Sequence, residues 1–175
     1  MAPLLRRSWA PYGKTPVILQ RTNTHKKVSV IAELCVSPYR DKVTLYFRLH
    51  PDQNINGQRV KEFLRQLSMQ VKHPIILVWD RFAPHRSRKV RVFLESLERV
   101  HTYFFPPYAP ELNPAEGVWG YLKMNPMANS PAAELQTLSL QTRRCSRNIQ
   151  RKSQLLISFI EHSHLPFEID RTLFM

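Results

Sequence analysis

The chain has 175 residues, 43% of them hydrophobic, and its 26 Lys and Arg against 13 Asp and Glu leave a net charge of +13. That length and apolar content suit one domain with a real core and exclude a disordered tail, while the basic excess points to a polyanionic partner, nucleic acid ahead of a membrane surface. Two cysteines, Cys35 and Cys145, form neither a disulfide framework nor a zinc site, and neither a secretory signal nor a membrane-spanning run is legible, so the chain reads as cytoplasmic.

Residues 27–36, KVSVIAELCV, and 43–49, VTLYFRL, are rich in β-branched and aromatic residues and flank a turn at 37–42, which predicts a hairpin. Val60, Phe63, Leu64, Leu67 and Val71 then recur at helical spacing just after the Asn-Gly at 56–57 and predict an amphipathic helix over 57–71. PIILVWD at 74–80 is a short apolar run behind a proline, a buried strand ending at Asp80.

A second helix is predicted from about Ser87, with Val90, Phe93, Leu94 and Leu97 on its inner face and Arg86, Arg88, Lys89 and Arg91 at its start. The strand HTYFF follows, then the Pro-rich loop 106–112 and a helix carrying Glu116. Ser130-Pro131 opens a C-terminal helical region with Leu135, Leu138, Leu155, Leu156, Phe159 and Ile160, and with a second basic cluster, Arg143, Arg144, Arg147, Arg151 and Lys152. The order β-β-α-β-α-β-α, then helices, predicts an α/β layer fold with a mixed sheet whose antiparallel part is the opening hairpin.

Two acids stand out in that arrangement. Asp80 ends a buried strand, where a carboxylate is costly unless it is paired, capping or bound to a cation. Glu116 is the third residue of a helix that begins Asn113-Pro114, the capping-box pattern, so cap and ligand are both open readings for it. One further strand separates the two, so both carboxylates can converge on one edge of the sheet as a hard-oxygen site suited to Mg²⁺ rather than Zn²⁺. Trp79 and Trp119 lie within apolar patterns and read as core, and PYAP at 107–110 reads as a rigid loop.

LVWD and PPYAPELNPAEGVWGYLK, with residues 81–115 between the acids, resemble the catalytic domain of mariner-related bacterial insertion-sequence transposases, in the DDE endonuclease superfamily. The similarity runs from about Arg6 through Lys123 and more loosely over the C-terminal helices. It implies a ribonuclease-H-like mixed sheet flanked by helices. It also implies two Mg²⁺ (or Mn²⁺) ions, and chemistry that cuts DNA at transposon ends and joins the freed strand to target DNA. Asp80 matches the second acid of the family and Glu116 the third; His85 and Asn113 are supporting residues, and Arg86, Arg88, Lys89, Arg91, Lys123, Arg143, Arg144 and Arg147 would contact DNA. Arg81 stands where relatives carry a small or amide residue, close enough in sequence to pair with Asp80 at the metal position.

The family's first acid lies on a first, central strand upstream of the segment resembling RRSWAPYGKTP. The resemblance therefore implies a C-terminal fragment, without that strand, that acid or the terminal-repeat-reading region, and it leaves open whether this chain alone is an enzyme. Asp41, Asp52 and Glu33 are the candidates to substitute. The expected division is a truncated catalytic domain over 1–125 and a helical extension over 126–175. The alternative function is a catalytically inactive DNA-binding remnant, or the downstream half of a split or frameshifted transposase. Expected partners are transposon ends and target DNA, with further copies or a full-length transposase, in the nucleoid of a bacterial cytoplasm.

Overall fold

A computed structural model describes residues 10–14, 27–128 and 134–168; the run PVILQ at 16–20 and the Ser130-Pro131 step lie outside the described residues. The hairpin forms as its β-branched and aromatic runs predict. β1 (Val28–Val36) and β2 (Val43–Pro51) pair antiparallel, with Val28 opposite Pro51 and Val36 opposite Val43. In the turn, the Ser37 hydroxyl donates to Asp41 Oδ1 and accepts the backbone N–H of Asp41 and of Lys42, each at 3.1 Å.

α1 (Gly57–Gln70) starts where Asn56 caps it, its side chain accepting the Arg59 N–H at 3.1 Å. β3 (Ile75–Trp79), α2 (Arg88–Glu95) and β4 (Val100–Phe104) make one crossover unit, and β4 lies parallel to β3 with Trp79 opposite Phe104. A 3₁₀ turn at Pro110–Leu112 leads into α3 (Pro114–Met124). The C-terminal helical region is two helices, α4 (Leu135–Gln150) and α5 (Ser153–Glu161), because Lys152 leaves helical geometry at φ −101° and ψ 80°. That break lets α5 turn Leu156, Ile157 and Ile160 onto the core that Leu138 and Ile149 of α4 already cover.

Because side chains alternate along a strand, β1 divides two cores. Val28, Val30, Ala32, Leu34 and Val36 pack with Val43 and Leu45 of β2 beneath α3, α4 and α5. Ile31 points the other way, with Tyr46, into a second cluster built from Val60, Leu64 and Leu67 of α1, Leu77 and Trp79 of β3, and Val90 of α2. Helices thus cover the two faces in two layers, α1 and α2 on one and α3, α4 and α5 on the other. The first core crosses position 125/126, since Met127, Leu138 and Leu156 belong to it together with Val118 and Leu122.

Strand pairing divides in the same place. Among the described residues the antiparallel pair β1–β2 and the parallel pair β3–β4 are separate two-stranded sheets, and hydrogen bonds do not link β1 to β3. One face of the parallel pair is packed under α1 and α2, while Ile76, Val78 and Tyr103 on its other face are exposed. Among the described residues no helix is long and apolar enough to cross a membrane.

Candidate active site

The carboxyl ends of β3 and β4 build the site. Asp80 follows Trp79 directly, and Phe105 continues the pairing beyond β4, its N–H donating to the Trp79 carbonyl at 2.8 Å. From there residues 106–113 carry the chain to α3 and Glu116, so the segment bearing Glu116 leaves from the same end of the parallel pair as Asp80. In such sheets the splayed loops beyond those ends are where ligands bind.

Asp80 is half-exposed and partly engaged. Its Oδ1 accepts the Phe82 N–H at 3.0 Å, the turn-forming bond expected of an Asp at this place, and lies 2.7 Å from His85 Nδ1. A carboxylate can only accept, so Nδ1 carries the proton in that contact. The ring of His85 is fixed from the side, stacked on Trp79 at 4.6 Å and 10° and meeting Phe82 edge-on at 5.5 Å. Asp80 Oδ2 has no hydrogen-bond partner among the described residues. Arg81 does not pair with Asp80. Its Nε donates to the Phe105 carbonyl at 3.3 Å and its guanidinium lies 5.8 Å from the Phe104 ring centroid, which draws the charge toward β4 and away from the carboxylate.

At Glu116 the capping box does not close. Asn113 caps α3 by itself, its side chain accepting the Ala115 N–H at 3.1 Å, with Pro114 at the first helical position. The reciprocal bond of a capping box is not formed, because the Asn113 N–H goes to the Pro110 carbonyl at 3.0 Å. The Glu116 carboxylate is therefore exposed and without a hydrogen-bond or ion-pair partner among the described residues. Its helix is seated by a close approach that the sequence did not signal: Gly117 faces Phe159 of α5, and Tyr121 meets the same ring at 6.0 Å. A glycine one turn into a helix was the available clue, but its partner is forty-odd residues away and invisible to local pattern.

The cations surround this end unevenly. Arg86, Arg88, Lys89 and Arg91 are exposed at the start of α2, and Arg91 pairs with Glu95 at 3.8 Å. The first turn of α1 closes against the same loop, Gly57 lying directly over the side chain of Ser87. Lys123 is half-buried on α3. Arg143, Arg144 and Arg147 are exposed on α4, in the opposite layer, and are not brought together with the α2 cluster.

None of the three candidate substitutes gathers with the two acids, and among the described residues there is no group of three or more His, Cys, Asp or Glu placed to hold a metal ion. Asp41 is held by Ser37 in the hairpin turn, and Asp52 sits in a turn with φ 50°. Glu33 stands mid-strand opposite Tyr46, and burial pushes its carboxyl up to about 8, so it keeps its proton at neutral pH.

Residues 2–139 match the profile of a family described as DDE superfamily endonuclease. No curated protein matches the chain in sequence. Among solved structures it is similar to the Mos1 transposase paired-end complex with left transposon end, at 18% identity over 93% of this chain and 47% of that one, with a TM-score of 0.62. It is also similar to the Mos1 strand transfer complex, at 19% identity over 95% and 52% with a TM-score of 0.55. The Mos1 mariner paired-end complex with Mn gives 18% over 95% and 53%, again with 0.55. The chain spans about half the length of these structures. The likeness establishes the fold as ribonuclease-H-like, mixed α/β with small sheets flanked by helices.

Proposed function

Because the chain belongs to the DDE superfamily of endonucleases, we propose that it is the catalytic part of a transposase, acting on transposon ends and target DNA with Asp80 and Glu116 as its metal-binding acids. The observation that carries this is that, among the described residues, Asp80 at the carboxyl end of β3 keeps a free Oδ2 and Glu116, on the helix reached from the same end of β4, has no hydrogen-bond or ion-pair partner. Two hard anionic oxygens fit Mg²⁺ or Mn²⁺, which complete their shells with water and phosphate oxygens. A divalent cation held there by Asp80 and Glu116 would supply positive charge where a phosphodiester is attacked, and two-metal chemistry of this kind would use two such ions.

The chain's own residues prepare the site. His85, clamped by Trp79 and Phe82, fixes one oxygen of Asp80 and leaves the other without a hydrogen-bond partner among the described residues. Asn113 relieves Glu116 of the capping role. Arg86, Arg88, Lys89 and Arg91, at the start of α2 after the Asp80 loop, hold the backbone of the DNA being cut, with Lys123 on the α3 side, while Arg143, Arg144 and Arg147 contact DNA away from that site. Residues 1–125 act as the catalytic unit and 126–175 as a helical buttress, and the protein works on nucleoid DNA in a bacterial cell together with further copies of itself or of the full-length enzyme. The second reading, a DNA-binding remnant without chemistry, is favoured by one observation: a third acid does not join the two among the described residues.

Fluorescence anisotropy with two unrelated duplexes tests the proposal. Binding falls steeply with salt and shows little sequence preference, because phosphate contacts dominate. Mn²⁺ tightens it for the wild type but not for Asp80→Asn or Glu116→Gln. Binding that ignores Mn²⁺ would leave the remnant reading.

A further inference from the structure

α4 presents its two sides to different surroundings. Leu138, Thr142, Ser146 and Ile149 are buried against the hairpin, and Gln150 Nε2 donates to the Leu45 carbonyl at 2.7 Å. The outer side carries Arg143, Arg144 and Arg147, continued past the helix end by Arg151. α4 contains no acidic residue, and among the described residues none of these four arginines meets a carboxylate. With Leu140 and Asn148 they line an open groove of about 560 Å³. Like charges three and four residues apart on a helix destabilise it, so an unrelieved row of them makes sense where a polyanion supplies the counter-charge.

This groove faces away from the α2 cluster. β1 separates the layers, with Ile31 directed at the α1 and α2 core and Val30 and Ala32 at the α3, α4 and α5 core. We infer that α4 is a second duplex-binding surface, so that one protomer holds two DNA segments at once, one beside Asp80 and α2 and one along α4. The inference rests on the DNA-processing function proposed above. From Arg143 to Arg151 the row runs about 12 Å along the axis at 1.5 Å per residue, enough to follow a phosphate backbone. An anionic membrane is a poorer occupant, because the apolar stripe that an interfacial helix inserts into lipid is committed to the core here.

A capture assay tests it. One duplex is fixed to beads and a second, fluorescent duplex is supplied in solution, at a protein concentration where light scattering shows monomers. Wild type retains the fluorescent duplex. Arg143→Gln/Arg147→Gln/Arg151→Gln, all exposed positions, still binds the beads but retains at least tenfold less of the second duplex, and its total salt slope falls by about 3, one for each lost phosphate contact. Arg86→Gln/Arg88→Gln/Lys89→Gln also loses bridging, yet keeps binding through α4. If the α4 variant bridges like wild type, or loses affinity for phosphatidylserine vesicles in place of DNA, the second surface is overturned while the proposed function stands. A wild type that binds no duplex by either face removes both.

Discussion

Gly117 makes room for Phe159: a Cβ added at Gly117 would stand 2.9 Å from Phe159 Cδ1 and 3.4 Å from its Cγ. This contact joins α3 to α5 one residue beyond Glu116, so the seat of a candidate metal-binding acid depends on the C-terminal helices.

Gly117→Ala is therefore destabilising although alanine is the better helix former by about 1 kcal/mol. Overpacking against the ring costs about 1–3 kcal/mol. Phe159→Leu shortens the obstacle, so the double variant is more stable than the sum of the two single changes requires. Urea unfolding of the four proteins measures the coupling, and strictly additive losses would show that the contact does not set the helix position.

How far the fold and site were legible follows from whether each determinant is local. The hairpin, the α1 stripe from Val60 to Leu67 and the short apolar β3 are encoded by residues within one element, and they form within a residue or two of the expected bounds. Asn113, Pro114 and Glu116 predicted the start of α3, but their spacing could not show that Asn113 caps alone, because the Asn113 N–H is claimed by Pro110. Likewise the sequence neighbourhood of Arg81 and Asp80 suggested a pair, whereas strand direction sends Arg81 to Phe105 and brings His85 back onto the carboxylate. The division of strands into two pairs depends on long-range register, which composition does not carry.

Arg99 was not singled out, yet it ties the end of α1 to the start of β4. Its guanidinium donates to the carbonyls of Ser68, of Val71 at 2.6 Å and of His73 at 2.9 Å, where a helix end leaves acceptors without partners. Arg99→Lys keeps the charge but cannot span three carbonyls, so it loses about 1–3 kcal/mol, nearly as much as Arg99→Ala. Chemical denaturation checks this, and a fully stable lysine variant would mean that charge alone matters.

Glu33 predicts a pH dependence. Burial raises its carboxyl from the ordinary 4.5 to about 8, so between those values the folded protein keeps a proton that the unfolded chain has released. Stability from this group therefore falls as pH rises through that window and is level above it. The loss is on the order of 1–3 kcal/mol, reduced because the residue is not wholly enclosed. Glu33→Gln removes the titration, so its stability advantage over wild type grows between about pH 5 and pH 8.5. A constant difference across that range would mean that Glu33 is ionised in the folded protein.

The shared use of Asp80 and Glu116 is tested most directly by Mn²⁺ broadening of backbone NMR signals in the DNA-bound protein. The account predicts that signals flanking Asp80 and those flanking Glu116 broaden together at the same Mn²⁺ concentration, and that Asp80→Asn or Glu116→Gln abolishes both sets. Broadening confined to one acid, or surviving either substitution, would contradict it.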